Sequence, residues 1–281
     1  MIINNKTEKE IPKEAKDQGK DEGDFAFKAP ENLYKLWSTE GKTVGEFNIN
    51  IEEMARAGLH FGHQTSRRHP KMSPYIYGVR NTIHIINLEK VAEKLEEALK
   101  FIRDFVSENK TLLFVGTKPQ VRELVKGIAK DCNFPYVENR WVGGTFTNFE
   151  TIRKRIDRLK ELESKRGTGE LEKYTKKEKA KINKNIGNME AKFGGIKELT
   201  RLPDAVFIVD MKNGAITVRE AKARGVKIIA ICDTNTDPTL ADYPIPANDD
   251  SFSSVQYVLG KVREVALSAK AKQPPELKPE A

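Results

Sequence analysis

The chain has 281 residues, with 49 Lys+Arg against 41 Asp+Glu, a net charge of +8 and 38% hydrophobic residues. That length buries one large or two small cores, and the basic balance favours nucleic acid or an acidic membrane surface as partner. No apolar run approaches the roughly 20 residues of a membrane span, and Cys132 and Cys232 stand far apart in unlike contexts, so the expectation is a soluble chain in a reducing cytoplasm, with no membrane partner and no disulfide framework.

Residues 1–47 carry 8 basic and 10 acidic residues and few apolar ones. They are expected to form a disordered N-terminal extension, because little apolar surface offsets the entropy of ordering. The opening MIINNKTEKEIPKEAKDQ has no apolar signal core and is too acidic for a transit peptide. Leu33, Tyr34, Leu36 and Trp37 form one apolar cluster, either a transient helical turn or a docking element.

The body begins near Asn48 with a short helix, Ile51–Ala57, ended by Gly58, and a loop containing Gly62, Pro70 and Pro74. Thr82–Asn87 is a predicted strand. Asn87 caps a predicted helix to about Glu108, with Val91, Leu95, Leu99 and Ile102 on one face. Thr111–Gly116 is a predicted buried strand. Thr117 and Gln120 have capping-box spacing and open a helix to about Lys130. Phe134–Val137, Ala205–Asp210 and Lys227–Cys232 are further predicted strands, with helices at Ile216–Arg224 and Phe252–Leu267. Alternation of this kind implies a mostly parallel sheet covered on both faces. The pattern breaks at Asn148–Glu163 and Thr175–Phe193. Both are helical, with narrow seams of Ile152, Ile156 and Leu159 and of Ile182, Ile186, Met189 and Phe193. Such seams predict an antiparallel coiled-coil hairpin at 148–193, inserted in a sheet domain of 48–147 and 194–267. Residues 268–281, with Pro274, Pro275 and Pro279, are expected to be a flexible tail.

Charge is unevenly placed. From Met54 to Leu88 there is no Asp or Glu, while Arg56, Arg67, Arg68, Lys71, Arg80 and all four histidines fall there. A polyanion against this surface would repel each carboxylate and favour each cation. Residues 150–201 carry 16 Lys+Arg against 9 Asp+Glu, so the hairpin accounts for most of the net charge.

Several motifs admit more than one reading. His60 and His63, with Asp210 or Asp233, could ligate a metal, but packing under an RNA-facing loop accounts for the histidines without one, and no metal or other cofactor is expected. Val115-Gly-Thr-Lys118 stands where a doubly wound sheet often binds phosphate. It lacks the full Gly-rich signatures, and a tight strand-to-helix turn also explains it. Together with the Asp233–Asp237 loop it supports the alternative of an α/β nucleotide- or metal-binding enzyme. Asx turns and helix capping explain that loop and Asp249-Asp250 as well. Gly143-Gly144, within Arg140–Asn148, allows close backbone approach to RNA or to the loop at Met54–Leu88. No convincing nucleophile–base pair is present, so no catalysis is expected.

Ala57-Gly-Leu-His-Phe-Gly-His-Gln-Thr65, Pro70-Lys-Met-Ser-Pro-Tyr-Ile76, Ile83-His-Ile-Ile-Asn87 and Phe114-Val-Gly-Thr-Lys118 closely resemble segments of ribosomal protein S2 of the small subunit. So do Arg140-Trp-Val-Gly-Gly144, Thr147-Asn-Phe149, Gly194-Gly-Ile-Lys197, Leu202-Pro-Asp-Ala205, Asp233-Thr-Asn235 and Asp242-Tyr-Pro-Ile-Pro246, in the family's order over about residues 50–267. The hairpin resembles that of the bacterial or organellar form. The resemblance implies a flavodoxin-like doubly wound parallel sheet with the inserted hairpin, and a structural constituent of the small subunit, monomeric within the ribosome. It implies binding to 16S-type rRNA at the head–body junction and recruitment of the mRNA-binding protein S1 beside neighbouring small-subunit proteins. The N-terminal extension and the tail depart from the family's pattern, and no role carries over to them. Arg67, Arg68, Lys71 and Arg80 are the expected phosphate contacts. His63, Gln64 and Asn81 are expected hydrogen-bonding partners, and Tyr75 a stacking platform for an unpaired base. Arg140 and, on the hairpin, Arg153, Arg155, Lys176 and Lys177 are further candidates.

Overall fold

A computed structural model describes residues 43–271; the Leu33–Trp37 cluster and most of the expected extension and tail lie outside the described residues. The chain opens with a small antiparallel pair, β1 (Thr43–Val44) and β2 (Ile49–Asn50), then α1 (Ile51–Arg56). Strands β3 (Phe61–Gln64), β4 (Ile76–Arg80) and β5 (Ile83–Ile86) precede α2 (Leu88–Ser107). Next come β6 (Leu112–Val115), α3 (Arg122–Asp131) and β7 (Tyr136–Val137). The hairpin is α4 (Phe149–Gly167) and α5 (Lys176–Phe193). Strand β8 (Ala205–Ile208), α6 (Ala215–Arg224), β9 (Lys227–Cys232), β10 (Tyr243–Pro246) and α7 (Phe252–Ala271) complete the fold.

The main sheet has five parallel strands in the order β10-β9-β8-β6-β7. Counting only these strands along the chain, the order is that of flavodoxin, whose topological switch point here falls between β6 and β8. Successive side chains alternate between faces. Leu112, Phe114, Phe207, Ile229 and Ile231 enter one buried cluster with α1, α2, α3 and α7. Leu113, Val115, Val206, Ile208, Ile228 and Ala230 enter a second, with α6 and the hairpin seam. The hairpin residues Ile152, Ile156, Leu159, Ile186 and Phe193 are buried in that second cluster, so the base of the hairpin is anchored on the sheet. Gly195 lies so close to the Tyr136 carbonyl that a Cβ would collide with it, which explains a glycine where the chain re-enters the domain.

Three expectations change. The predicted strand at Thr82–Asn87 is not part of the parallel sheet. As β5 it pairs antiparallel with both β3 and β4, making a separate three-stranded sheet out of the predicted loop. Asn81 and Thr82, with φ of 45° and 65°, form the two-residue connection between Arg80 and Ile83, the backbone of a tight hairpin turn. The capping box at Thr117–Gln120 does not form: Pro119–Val121 is a 3-10 turn without a side-chain cap, and the Arg122 guanidinium donates to the Thr117 carbonyl instead. Asn248, not Asp249-Asp250, accepts from the Asp250 and Ser251 amides ahead of α7, which itself continues past Leu267 to Ala271. By contrast, Asn87 accepts from the Glu89 amide, and Thr175 and Glu178 close the predicted capping box at the start of α5.

Candidate nucleic-acid interface

The acid-free stretch folds as β3, two 3-10 turns at Thr65–Arg67 and Pro70–Tyr75, and the β4–β5 hairpin. Its platform is the loop after β9. The His69 amide donates to the Thr234 carbonyl at 2.7 Å, and the His63 amide donates to the Thr234 hydroxyl at 2.9 Å. Gly62 packs on the same residue: a Cβ there would lie 2.5 Å from the Thr234 methyl. Met72, fully buried, pins the second turn into the core.

The candidate side chains fall into two groups. His63 and Lys71 are held by carboxylates from the β9 loop. His63 Nδ1 lies 3.0 Å from Asp233 Oδ2, and its Nε2 lies 2.9 Å from Asn235 Nδ2. The hydrogen bond to Asp233 raises the His63 pKa, against the opposing effect of burial. Lys71 Nζ donates to Asp237 Oδ2 at 2.7 Å and to the Thr239 hydroxyl at 2.9 Å. Burial pushes Asp237 up, but the hydrogen bonds from Lys71 and Thr239 prevail and hold it at about 2. Arg67, Arg68 and Arg80 have no carboxylate partner among the described residues. Arg67 and Arg68 are exposed and Arg80 half-buried, and Gln64 and Asn81 are exposed beside them. Tyr75 is half-buried, and its carbonyl accepts from the Asn87 amide.

His60 does not join His63. Its ring is buried against Phe61 at 4.0 Å between centroids, and burial lowers its pKa to about 4. His63 instead meets Asp233 and Asp250, each offering one possible metal-ligand atom, all within 4.8 Å of one another. These three residues line a cavity of about 320 Å³ together with Arg67 and Gln64. His60 is not part of this group.

Below that cavity lies the crevice at the carboxyl ends of the strands. Lys118, following β6, reaches Asp249 at 2.8 Å, Asp250 at 2.7 Å and Asp210 at 3.2 Å. Burial opposes its charge, yet the three aspartates outweigh that and raise its pKa. Asp249 is itself pushed up to about 7, first by burial and then by the charge of Asp233, with Lys118 pulling the other way. A phosphate at Gly116–Lys118 would meet these carboxylates, and the lysine is already engaged. The Asp233–Asp237 loop is likewise engaged, by its own hydrogen bonds and by His63 and Lys71, although Asn235 Oδ1 is buried without a hydrogen-bond partner among the described residues. Asp233 Oδ1 accepts from the Thr234 amide, the Thr236 hydroxyl donates to the Asp233 carbonyl, and Asp237 accepts from the Thr239 amide. The geometry therefore argues against a nucleotide-binding use of the two loops.

Within the chain, Gly143-Gly144 approach α6 and not the acid-free stretch. The Glu220 carboxylate, 8% exposed, accepts from the amides of Gly144 at 2.7 Å, Phe146 at 2.9 Å and Thr147 at 3.4 Å. Arg224, one turn on, donates to the carbonyls of Phe146 and Thr147. Gly144 has φ of 92°, where a side chain would be strained. Trp141 packs edge-on against Phe146 at 4.8 Å, leaving Arg140 exposed at the rim. Sequence reasoning missed Glu220 and Arg224: a charged pair on a short helix gives no sign that it faces backbone amides and carbonyls.

On the hairpin, Arg153 and Arg155 are exposed on α4, and Lys176 and Lys177 on the first turn of α5. None has a carboxylate partner among the described residues, whereas Arg158, Lys165 and Lys197 pair with Glu161 or Glu163. Two lysines in a first turn oppose the helix dipole, a cost that Glu178 at the same turn partly offsets.

Fold and surface together define a doubly wound α/β protein whose strand-end crevice is closed by its own ion cluster, and whose unpaired cations stand on a loop and a helical hairpin. A sequence profile described as Ribosomal protein S2 matches residues 54–269, from the start of the acid-free stretch to the last helix. The chain belongs to the ribosomal protein S2 family, a family of structural, non-enzymatic components of the small ribosomal subunit.

Proposed function

We propose that the protein binds small-subunit rRNA of the 16S type, at the head–body junction, through the face carrying Arg67, Arg68 and Arg80. The observation that carries this reading is that three cations of one short segment lack carboxylate partners in a chain of a small-subunit family. Phosphate contacts of this kind fix position and register, and base contacts add specificity. Gln64 and Asn81 lie exposed for such contacts, and Arg140, Arg153, Arg155, Lys176 and Lys177 extend the basic surface. Lys71 and His63 act chiefly through Asp237 and Asp233, shaping the loop that presents the arginines, and Tyr75 is only half-exposed for stacking. The division into extension, sheet domain, hairpin and tail fits this use: the sheet domain positions the loop and the hairpin widens the footprint. The family resemblance further supports monomeric assembly in the ribosome beside neighbouring proteins, and recruitment of S1. The test is filter binding of the isolated protein to small-subunit rRNA against large-subunit rRNA of similar length. Preferential, salt-sensitive binding is expected; equal binding to both would overturn the reading.

A further inference from the structure

The hairpin ends in a basic tip. α4 runs to Gly167, a 3-10 turn spans Glu170–Lys173, and Tyr174 leads into α5. The tip lies about 20 Å along α4 from Ile152, the first residue of the buried seam. From Lys165 to Lys181 there are 7 Lys+Arg against 3 Asp+Glu, so this one segment holds half of the net charge of +8. Little of it is neutralised locally. Lys165 pairs with Glu161, 2.5 Å away, and Glu178 is taken up by the Thr175 amide and hydroxyl. Arg166, Lys173, Lys176 and Lys177 are exposed and have no carboxylate partner among the described residues.

An aromatic ring stands among these cations. Leu171 is buried, at 8% exposure, whereas Tyr174 is 49% exposed. Tyr174 occupies the position just before the N-cap of α5, where an apolar residue ordinarily packs on the fourth residue of the helix. That residue here is Lys179, so the helix offers the ring no such apolar partner. The backbone is fixed all the same. The Tyr174 amide donates to the Leu171 carbonyl at 3.2 Å, and the capping box orders Thr175 directly after it. A ring on an ordered turn loses little freedom when a flat partner covers it. Unpaired nucleotides are such partners: their bases stack on aromatic rings while cations follow the adjoining phosphates. A carboxylate-rich peptide would satisfy the cations without using the ring, so the ring decides for RNA.

We infer that Tyr174 stacks on an unpaired base of small-subunit rRNA, with Arg166, Lys173 and Lys177 on the adjoining phosphates. The inference rests on the proposed rRNA binding and adds to it a second contact, at the hairpin tip, made to a single unpaired nucleotide. The test is filter binding of the full-length protein to small-subunit rRNA over a range of salt. Tyr174→Ala is expected to weaken binding roughly five-fold or more while leaving the slope of log affinity against log salt unchanged, because a neutral ring releases no counterions. Tyr174→Phe is expected to bind as the unaltered protein does. Arg166→Ala/Lys173→Ala is expected to flatten the slope by about one to two units. A second readout is Tyr174→Trp, whose emission in excess of the unaltered protein's reports position 174. That emission is expected to be quenched by rRNA and not by polyglutamate at the same ionic strength. Unaltered affinity in Tyr174→Ala, or an equal loss in Tyr174→Phe, would overturn the inference. Quenching by polyglutamate equal to that by rRNA would do the same, and would assign the tip to an acidic protein segment. Failure of the underlying reading shows separately, in the unaltered protein, as equal binding to large- and small-subunit rRNA.

Discussion

The loop from His63 to Asn81 and the hairpin of α4 and α5 both read as basic and both leave some cations unpaired among the described residues, but the carboxylates that pair the rest come from distant loops in the first and mostly from the same helix in the second. The loop has no acid in its own sequence, yet the β9 and β10 loops bring Asp233, Asp237 and Asp250 against it, so His63 and Lys71 are paired. The hairpin mixes Glu with Lys and Arg, yet Arg153, Arg155, Lys176 and Lys177 are left without a carboxylate partner among the described residues. Charge along a sequence is therefore a poor guide to charge in space. The acid-free stretch is free of acids so that it can sit on top of an acidic floor and still present Arg67, Arg68 and Arg80 outward.

That contrast is most sharply tested at the floor. Lys118→Met removes the one lysine shared by Asp210, Asp249 and Asp250, and is expected to cost about 3–5 kcal/mol in urea unfolding, as for other broken buried pairs. The folded pKa of Asp249 lies above its unfolded value, so the folded state holds an extra proton between about 4 and 7, and its burden on stability grows as pH rises through that window. The loss in Lys118→Met is accordingly expected to shrink on acidification towards pH 4. A loss independent of pH would mean the aspartates are not its source.

The Arg140–Asn148 loop gives the next largest effect. Glu220→Ala leaves three amides without their acceptor, and about 2–3 kcal/mol of stability should be lost. Amide exchange should quicken at Gly144 and Phe146, and Glu220→Gln should recover part of the loss. Unchanged exchange would show that the loop holds itself.

Smaller effects are expected where the loop meets the floor. Lys71→Ala should cost about 0.5–1 kcal/mol, since the lysine is exposed. Asp237 is held at about 2, so its contribution is present above the ordinary carboxylate range and is lost as pH falls from about 4 to 2. His63 has the opposite sign. Its pKa is raised, so its contribution is complete below about 6.5 and is lost as pH rises through the folded value. His63→Asn should abolish the alkaline step and leave the acidic one, as followed by thermal unfolding across pH.

Much of the fold was legible because it rests on local periodicity. The buried strands at 112–115 and 227–232, the Asn87 cap and the Thr175–Glu178 box each follow from residues close in sequence. The small antiparallel sheet was not, because Asn81-Thr82 lacks the glycine that usually marks a two-residue hairpin, and because Pro70 and Pro74 disguise the approach to β4. Of the proposed site, only the exposed half could be proposed from sequence. Arg67, Arg68 and Arg80 could be picked from their acid-free context. Their distinction from Lys71 and His63 depends on Asp237 and Asp233, about 170 residues away, which only the sheet topology brings near. The Glu220 anchor is equally non-local.

The most direct test of the central claim compares the salt dependence of rRNA binding for two variants. Arg67→Ala/Arg68→Ala/Arg80→Ala removes the unpaired cations of the loop, and Lys71→Ala removes a paired one. The slope of log affinity against log salt should flatten by about three units in the first and by well under one in the second. Equal slopes in the triple variant and the unaltered protein, or a Lys71→Ala slope flattened by a full unit, would contradict the account.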